Sequence, residues 1–123
     1  MESNKQQRSQ PFDKYRIMQE TIFEPEREDL ELASVLAALS DPVRLDIIAE
    51  LHRRGEAVCS TLVPGIPKST RSHHLKVLRE AGVTRTRVEG TERHVSLRYR
   101  CLEARFPGLL QSVLSAKERH RIP

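Results

Sequence analysis

Between residues 67 and 99 the spacing of apolar side chains changes once, at Gly82, from the period of a helix to the period of a strand. Before the glycine, His74, Leu75 and Leu78 share one helical face, with Val77 at its edge. Ser69, Thr70, Ser72, His73 and Lys76 occupy the opposite face. After it, residues 83–89 and 92–99 alternate and are rich in β-branched side chains, with Gly90 between them. The pattern predicts a helix over 67–80, with Pro67 at its first position, running directly into a two-stranded hairpin. That single switch excludes an all-helical bundle and an all-β sandwich.

The upstream chain reads as helical. Asp41 is a natural N-cap and Pro42 suits a first helical position. The helix they open is expected to reach Arg54, with Leu45, Ile47, Ile48 and Leu51 inward and Gly55 closing it. Apolar residues at 32, 35, 36 and 39 mark another helix over 30–39, and the acidic run 24–31 suits its opening turn. Residues 57–63 form a short apolar piece, followed by a turn at Pro64-Gly65. A last helix is expected from Phe106-Pro107 through residue 116, with Leu109, Leu110, Val113 and Leu114 on one face. A short helix over 13–23 is carried by Tyr15, Met18, Ile22 and Phe23. With 123 residues the chain is one domain's worth. The expected division is a tail over 1–27, possessing at most that short helix, a folded domain over 28–116, and a polar tail over 117–123.

The charge is uneven. Residues 1–66 carry 8 Lys/Arg and 12 Asp/Glu, a net of −4, whereas residues 67–100 carry 9 and 3, a net of +6. A basic helix and hairpin side by side form the electrostatic footprint of a nucleic-acid surface. With no Trp and 4% aromatic residues, the core must be small and aliphatic. The apolar stripes Leu32, Val35, Leu36 and Leu109, Leu110, Val113, Leu114 are therefore expected to pair with a second copy.

Short helix, tight turn, basic helix and basic hairpin make the layout of a winged helix-turn-helix, mainly α with a small β-hairpin. A helix of this length, roughly 21 Å, fits the major groove of DNA. Lys68, Ser69, Thr70, Arg71, Ser72, His73 and Lys76 are the expected contacts to bases and phosphates, and Arg85, Arg87 and Arg93 those of the wing. The expected function is a sequence-specific regulator of transcription, most simply a repressor working as a homodimer on an inverted repeat in double-stranded DNA. The alternative from another class is a winged-helix module that binds protein rather than DNA.

The residues also carry a resemblance. Leu39-Ser40-Asp41-Pro42-Val43-Arg44-Leu45-Asp46-Ile47-Ile48 resembles the second-helix signature of the ArsR/SmtB family of bacterial repressors. Ser69-Thr70-Arg71-Ser72-His73-His74-Leu75-Lys76-Val77-Leu78 resembles that family's recognition helix, and Arg87-Val88-Glu89-Gly90-Thr91 its wing. The resemblance spans about 30–116. It implies a dimeric winged-helix repressor, paired through its first and last helices, that leaves its operator when an inducer binds. The chain departs from the family's metal sensors: residues 57–60 hold one cysteine instead of Cys-x-Cys, and 106–116 has neither acids nor histidines. The inducer, whether metal, oxidant or small molecule, stays open.

Other chemistry is thinly represented. His73 and His74 are adjacent, so on a helix they diverge by about 100° and do not converge on one ion. Two cysteines and five histidines without paired spacing predict no zinc site, and no cofactor is expected. Cys59 and Cys101 read as two free thiols, with a redox pair as the sharper alternative. No nucleophile elbow, P-loop or dinucleotide motif occurs, so an enzyme is not expected. No apolar run is long enough to span a membrane, and the polar start lacks a signal-like stretch, so a cytoplasmic home is expected.

Overall fold

A computed structural model describes residues 22–120. The helix expected over 13–23 and the tails at 1–21 and 121–123 lie outside the described residues, apart from residues 22 and 23, which are not helical. The chain runs from a 3-10 turn at Arg27–Asp29 into α1 (Leu32–Ala38) and α2 (Pro42–Arg54). It continues through β1 (Glu56–Val58), a 3-10 turn at Cys59–Thr61 and α3 (Lys68–Glu80). The hairpin β2 (Thr84–Glu89) and β3 (Glu92–Leu97) precedes α4 (Tyr99–Arg105) and α5 (Leu109–His120).

Local chemistry sets the helix ends. The Asp41 carboxylate accepts from the Val43 and Arg44 amides at 2.8 and 3.2 Å, and Pro42 opens α2. Gly55 closes it at φ 82°, donating to the Leu51 carbonyl at 2.7 Å. At the end of α3 the Val83 amide reaches back to the Leu78 carbonyl and the Gly82 amide to the Arg79 carbonyl. That is a Schellman arrangement, sealed by the buried side chains of Leu78 and Val83. Gly82 is doubly constrained: its φ is 87°, and a Cβ there would run into Leu30 Cδ2.

The sheet has three antiparallel strands in the order β1-β3-β2. Val95 at its centre faces Thr86 on one side and Ala57 on the other. The hairpin turns on Gly90 and Thr91, with φ positive at the glycine, as a two-residue turn requires. The core joins both layers and is aliphatic: Ile47, Ile48 and Leu51 of α2, Leu75 and Leu78 of α3, Val95 of β3 and Leu102 of α4.

Several expectations are corrected. The hairpin gains a third strand, β1, which at three residues is too short to show a period. The acidic run 24–31 does not open α1, whose first turn holds no acid; it lies along the outside of α3, β2 and α4. Pro67 is the N-cap of α3, extended at ψ 151°, so the helix starts at Lys68. The last helix starts not at Phe106 but at Leu109, after a Phe106-Pro107-Gly108 turn in which Pro107 disfavours helical backbone at the residue before it. An unexpected helix, α4, precedes that turn, where the sequence pattern carries the alternation of β3 on to residue 99. Helix α5 then runs through His120, into the stretch expected to be tail.

Candidate nucleic-acid interface

Helix α3 is held from below and open above. Leu75 and Leu78 are buried, and so is His74, whose Nδ1 lies 3.1 Å from an Arg44 nitrogen and 3.9 Å from Asp41 Oδ1. Arg44 also donates through Nε to the Ala38 carbonyl at 2.6 Å. One guanidinium thus closes the end of α1 and grips the middle of α3. Burial pushes the Asp41 carboxyl up, but the amides of Arg44 and Val43 and the charges of His74 and Arg44 outweigh it, so it ionises below its ordinary value of 3.8.

On the outer side of α3, Ser69, Thr70, Ser72, His73 and Lys76 are exposed, as is Lys68 in the first turn; Arg71 is half-buried, one and two turns before Leu75 and Leu78 on the inward side. The N-cap residue, Pro67, offers no side-chain acceptor, and among the described residues no side chain caps the N-terminus of α3. Its first amides therefore point outward as donors at the positive end of the helix dipole. The rings of His73 and His74 sit 5.6 Å apart with planes tilted by 56°, one facing out and the other in.

The hairpin differs. Arg87 bridges β1 and the tip of β2, bonding Glu56 Oε1 at 2.9 Å and Glu89 Oε1 at 3.0 Å. The bonds to Glu56 and Glu89 hold the Arg87 guanidinium above its ordinary value, and the bond from Arg87 holds the Glu56 carboxyl below its own. His94, beneath them, has carboxylates of Glu56, Glu89 and Glu92 within 3.7 Å. Arg85 faces Glu24, and Arg93 is exposed.

Sequence reasoning missed a set of arginines that tie residues 23–30 to the domain. Arg79 Nε donates to the Phe23 carbonyl at 3.2 Å, a buried Arg98 donates to that of Pro25 at 2.6 Å, and Arg105 donates to those of Glu28 and Leu30. The partners are backbone carbonyls far away in sequence, which no motif announces.

The apolar stripes divide. Val35, Leu110 and Leu114 are buried in the protomer's own core. Leu32 and Leu36 stay exposed, Leu109 and Val113 are half-buried. A groove of about 550 Å³ runs between α5 and the α1–α2 junction, lined by Leu39, Pro42, Leu45 and Val113. Cys59 and Cys101 are free, half-buried thiols. Cys59 lines a cleft of about 50 Å³ between α3 and the hairpin, whereas Cys101 lies at 3.7 Å from an Arg98 nitrogen on α4. Among the described residues no group of three or more His, Cys, Asp or Glu is placed to hold a metal ion, and no helix is long and apolar enough to cross a membrane.

Comparison with known proteins fits this geometry. A family model described as a helix-turn-helix domain matches residues 39–87, from the end of α1 to the middle of β2. The chain is similar to an HTH-type transcriptional regulator of Bacillus subtilis, YceK, at 39% identity over 89 residues, covering 70% of this chain and 89% of that one. Among solved structures, the transcriptional repressor BigR from Xylella fastidiosa aligns at 31% identity and TM-score 0.54, covering 69% of this chain and 84% of BigR. A homodimeric winged helix-turn-helix domain from Mycobacterium bovis, described as a possible ArsR-family regulator, shares the fold at 24% identity and TM-score 0.55, covering 87% and 89% of the two chains. The chain belongs to the HTH-type transcriptional regulators, and its fold is that of a winged helix-turn-helix domain.

Proposed function

We propose that the protein binds double-stranded DNA as a homodimer, reads an inverted repeat with α3 and represses transcription until an inducer releases it. The observation that carries this reading is the two-sided build of α3: a polar, uncapped outer face on a helix anchored by His74, Leu75 and Leu78. Lys68 and Lys76 neutralise phosphate; Ser69, Thr70, Arg71, Ser72 and His73 meet base edges, each good pair being worth roughly 1–3 kcal/mol of discrimination. Arg85, Arg87 and Arg93 serve the flanking backbone. BigR's description as a repressor supports the direction of control, and the Mycobacterium bovis homodimer supports the assembly. The seam falls to Leu32, Leu36, Leu109 and Val113, with Val35, Leu110 and Leu114 behind them. Such a regulator works where the DNA is, in the cytoplasm, with Cys59 and Cys101 reduced.

Electrophoretic mobility shift on the DNA upstream of the protein's own coding sequence tests the reading. A discrete, salt-sensitive complex is expected; no complex at low salt contradicts it. Sedimentation of Leu36→Glu is expected to give folded monomer beside a wild-type dimer, and a wild-type monomer at micromolar concentration contradicts the assembly.

A further inference from the structure

Residues 23–25 cross the outer edge of the hairpin, and two arginines hold them there. Arg79 takes the Phe23 carbonyl and Arg98 that of Pro25. Between these anchors the Glu24 carboxylate accepts the Thr86 amide through Oε2 at 2.5 Å, and its Oε1 lies 4.0 Å from Arg85 Nε. Strand β2 is an edge of the sheet, and the Thr86 amide points away from β3 into that open edge. An outward backbone amide beside a guanidinium is the donor pair that the two non-bridging oxygens of a phosphodiester take. Glu24 presents two oxygens and one negative charge to that pair.

We propose that the Thr86 amide and the Arg85 guanidinium form a site for a DNA backbone phosphate, and that Glu24 occupies it in the free protein. This rests on the DNA-binding reading above. The arm then does two things. It covers an unpaired strand edge while DNA is absent. It also competes with the phosphate, so the wing is weaker and less promiscuous on DNA than its arginines alone would make it. Glu24 is displaced on DNA, while Arg79 and Arg98 keep its neighbours in place and hold the carboxylate close enough to return.

Glu24→Gln tests this, because the amide oxygen still accepts from Thr86 while the charge is gone. The variant is expected to bind duplex DNA about two- to fivefold more tightly at low salt, the range of one exposed ion pair, with a steeper salt dependence. In an Arg85→Ala background the same change is expected to do nothing. The Thr86 amide resonance is expected to differ between wild type and Glu24→Gln in the free proteins and to coincide in their DNA complexes. Wild-type binding with Glu24→Gln no tighter overturns the proposal and leaves the DNA-binding reading standing, as does a Thr86 difference that persists on DNA. No binding by the wild type removes both.

Discussion

Helix α3 and the hairpin carry the basic residues of this domain in two different states. On α3, Lys68 at the helix start and Lys76 two turns further on are exposed, above a face locked by Leu75, Leu78 and the Arg44–His74 contact. On the hairpin, Arg87 is divided between Glu56 and Glu89, and Arg85 faces Glu24. A net of +6 over residues 67–100 therefore overstates the charge available to a polyanion. On the proposed reading, a rigid helix presents its donors outright, while the two paired cations of the wing contribute only what a phosphate can win from a carboxylate.

The largest effects come from removing what makes α3 rigid. Leu78→Ala is expected to cost about 2–5 kcal/mol, because the side chain is fully buried under α3. Gly82→Ala meets both a positive φ and Leu30, and is expected to cost about 1–3 kcal/mol. Urea unfolding checks both. If either variant kept wild-type stability, the anchored helix would not be what separates the two regions.

Asp41→Ala comes next, at about 0.5–2 kcal/mol for the lost N-cap. Its pH dependence sharpens the test. The folded carboxyl ionises below its ordinary value of 3.8, so its contribution is complete above that value. It is lost as pH falls from 3.8 through the folded value. Wild-type stability is expected to drop over that window, and the gap to Asp41→Ala to close with it. A gap that stays constant down to pH 2 would deny the cap its charge.

Smaller effects separate the wing's own arginines. Arg93→Ala is expected to weaken binding to all sequences and reduce the salt slope by about one. Arg87→Ala is expected to change that slope by much less, since Glu56 and Glu89 already neutralise the guanidinium. Equal slopes for the two variants would show that the carboxylates release Arg87 on DNA and would erase the contrast drawn here.

What could be read in advance follows from how local the signal is. Asp41-Pro42 and Gly55 bound α2 through contacts within three or four residues, and both ends were readable. The change of period at Gly82 marked α3 and the hairpin for the same reason. His74 was placed inward by its period alone. Strand β1 was not readable, because three residues opposite a distant β3 leave no repeat. Helix α4 was hidden because Arg98 and Tyr99 continue the alternation of β3. The arm over 23–30 was out of reach: its partners Arg79, Arg98 and Arg105 stand 56 to 77 positions away and hold carbonyls, which every residue has. The wing reads in sequence as three available cations, because Glu24 and Glu56, which face Arg85 and Arg87, come from distant positions.

On the proposed reading, the outer face of α3 reads sequence and the surrounding cations read charge. Quantitative footprinting on the upstream operator and on random duplex measures this as a ratio of affinities. Thr70→Ala, Arg71→Ala and His73→Ala are each expected to lower that ratio by about fivefold or more, the lower end of one base contact, while Lys76→Ala and Arg93→Ala weaken both DNAs and leave the ratio unchanged. If all five variants weakened operator and random DNA by the same factor, α3 would not be the reading element and the account would fail.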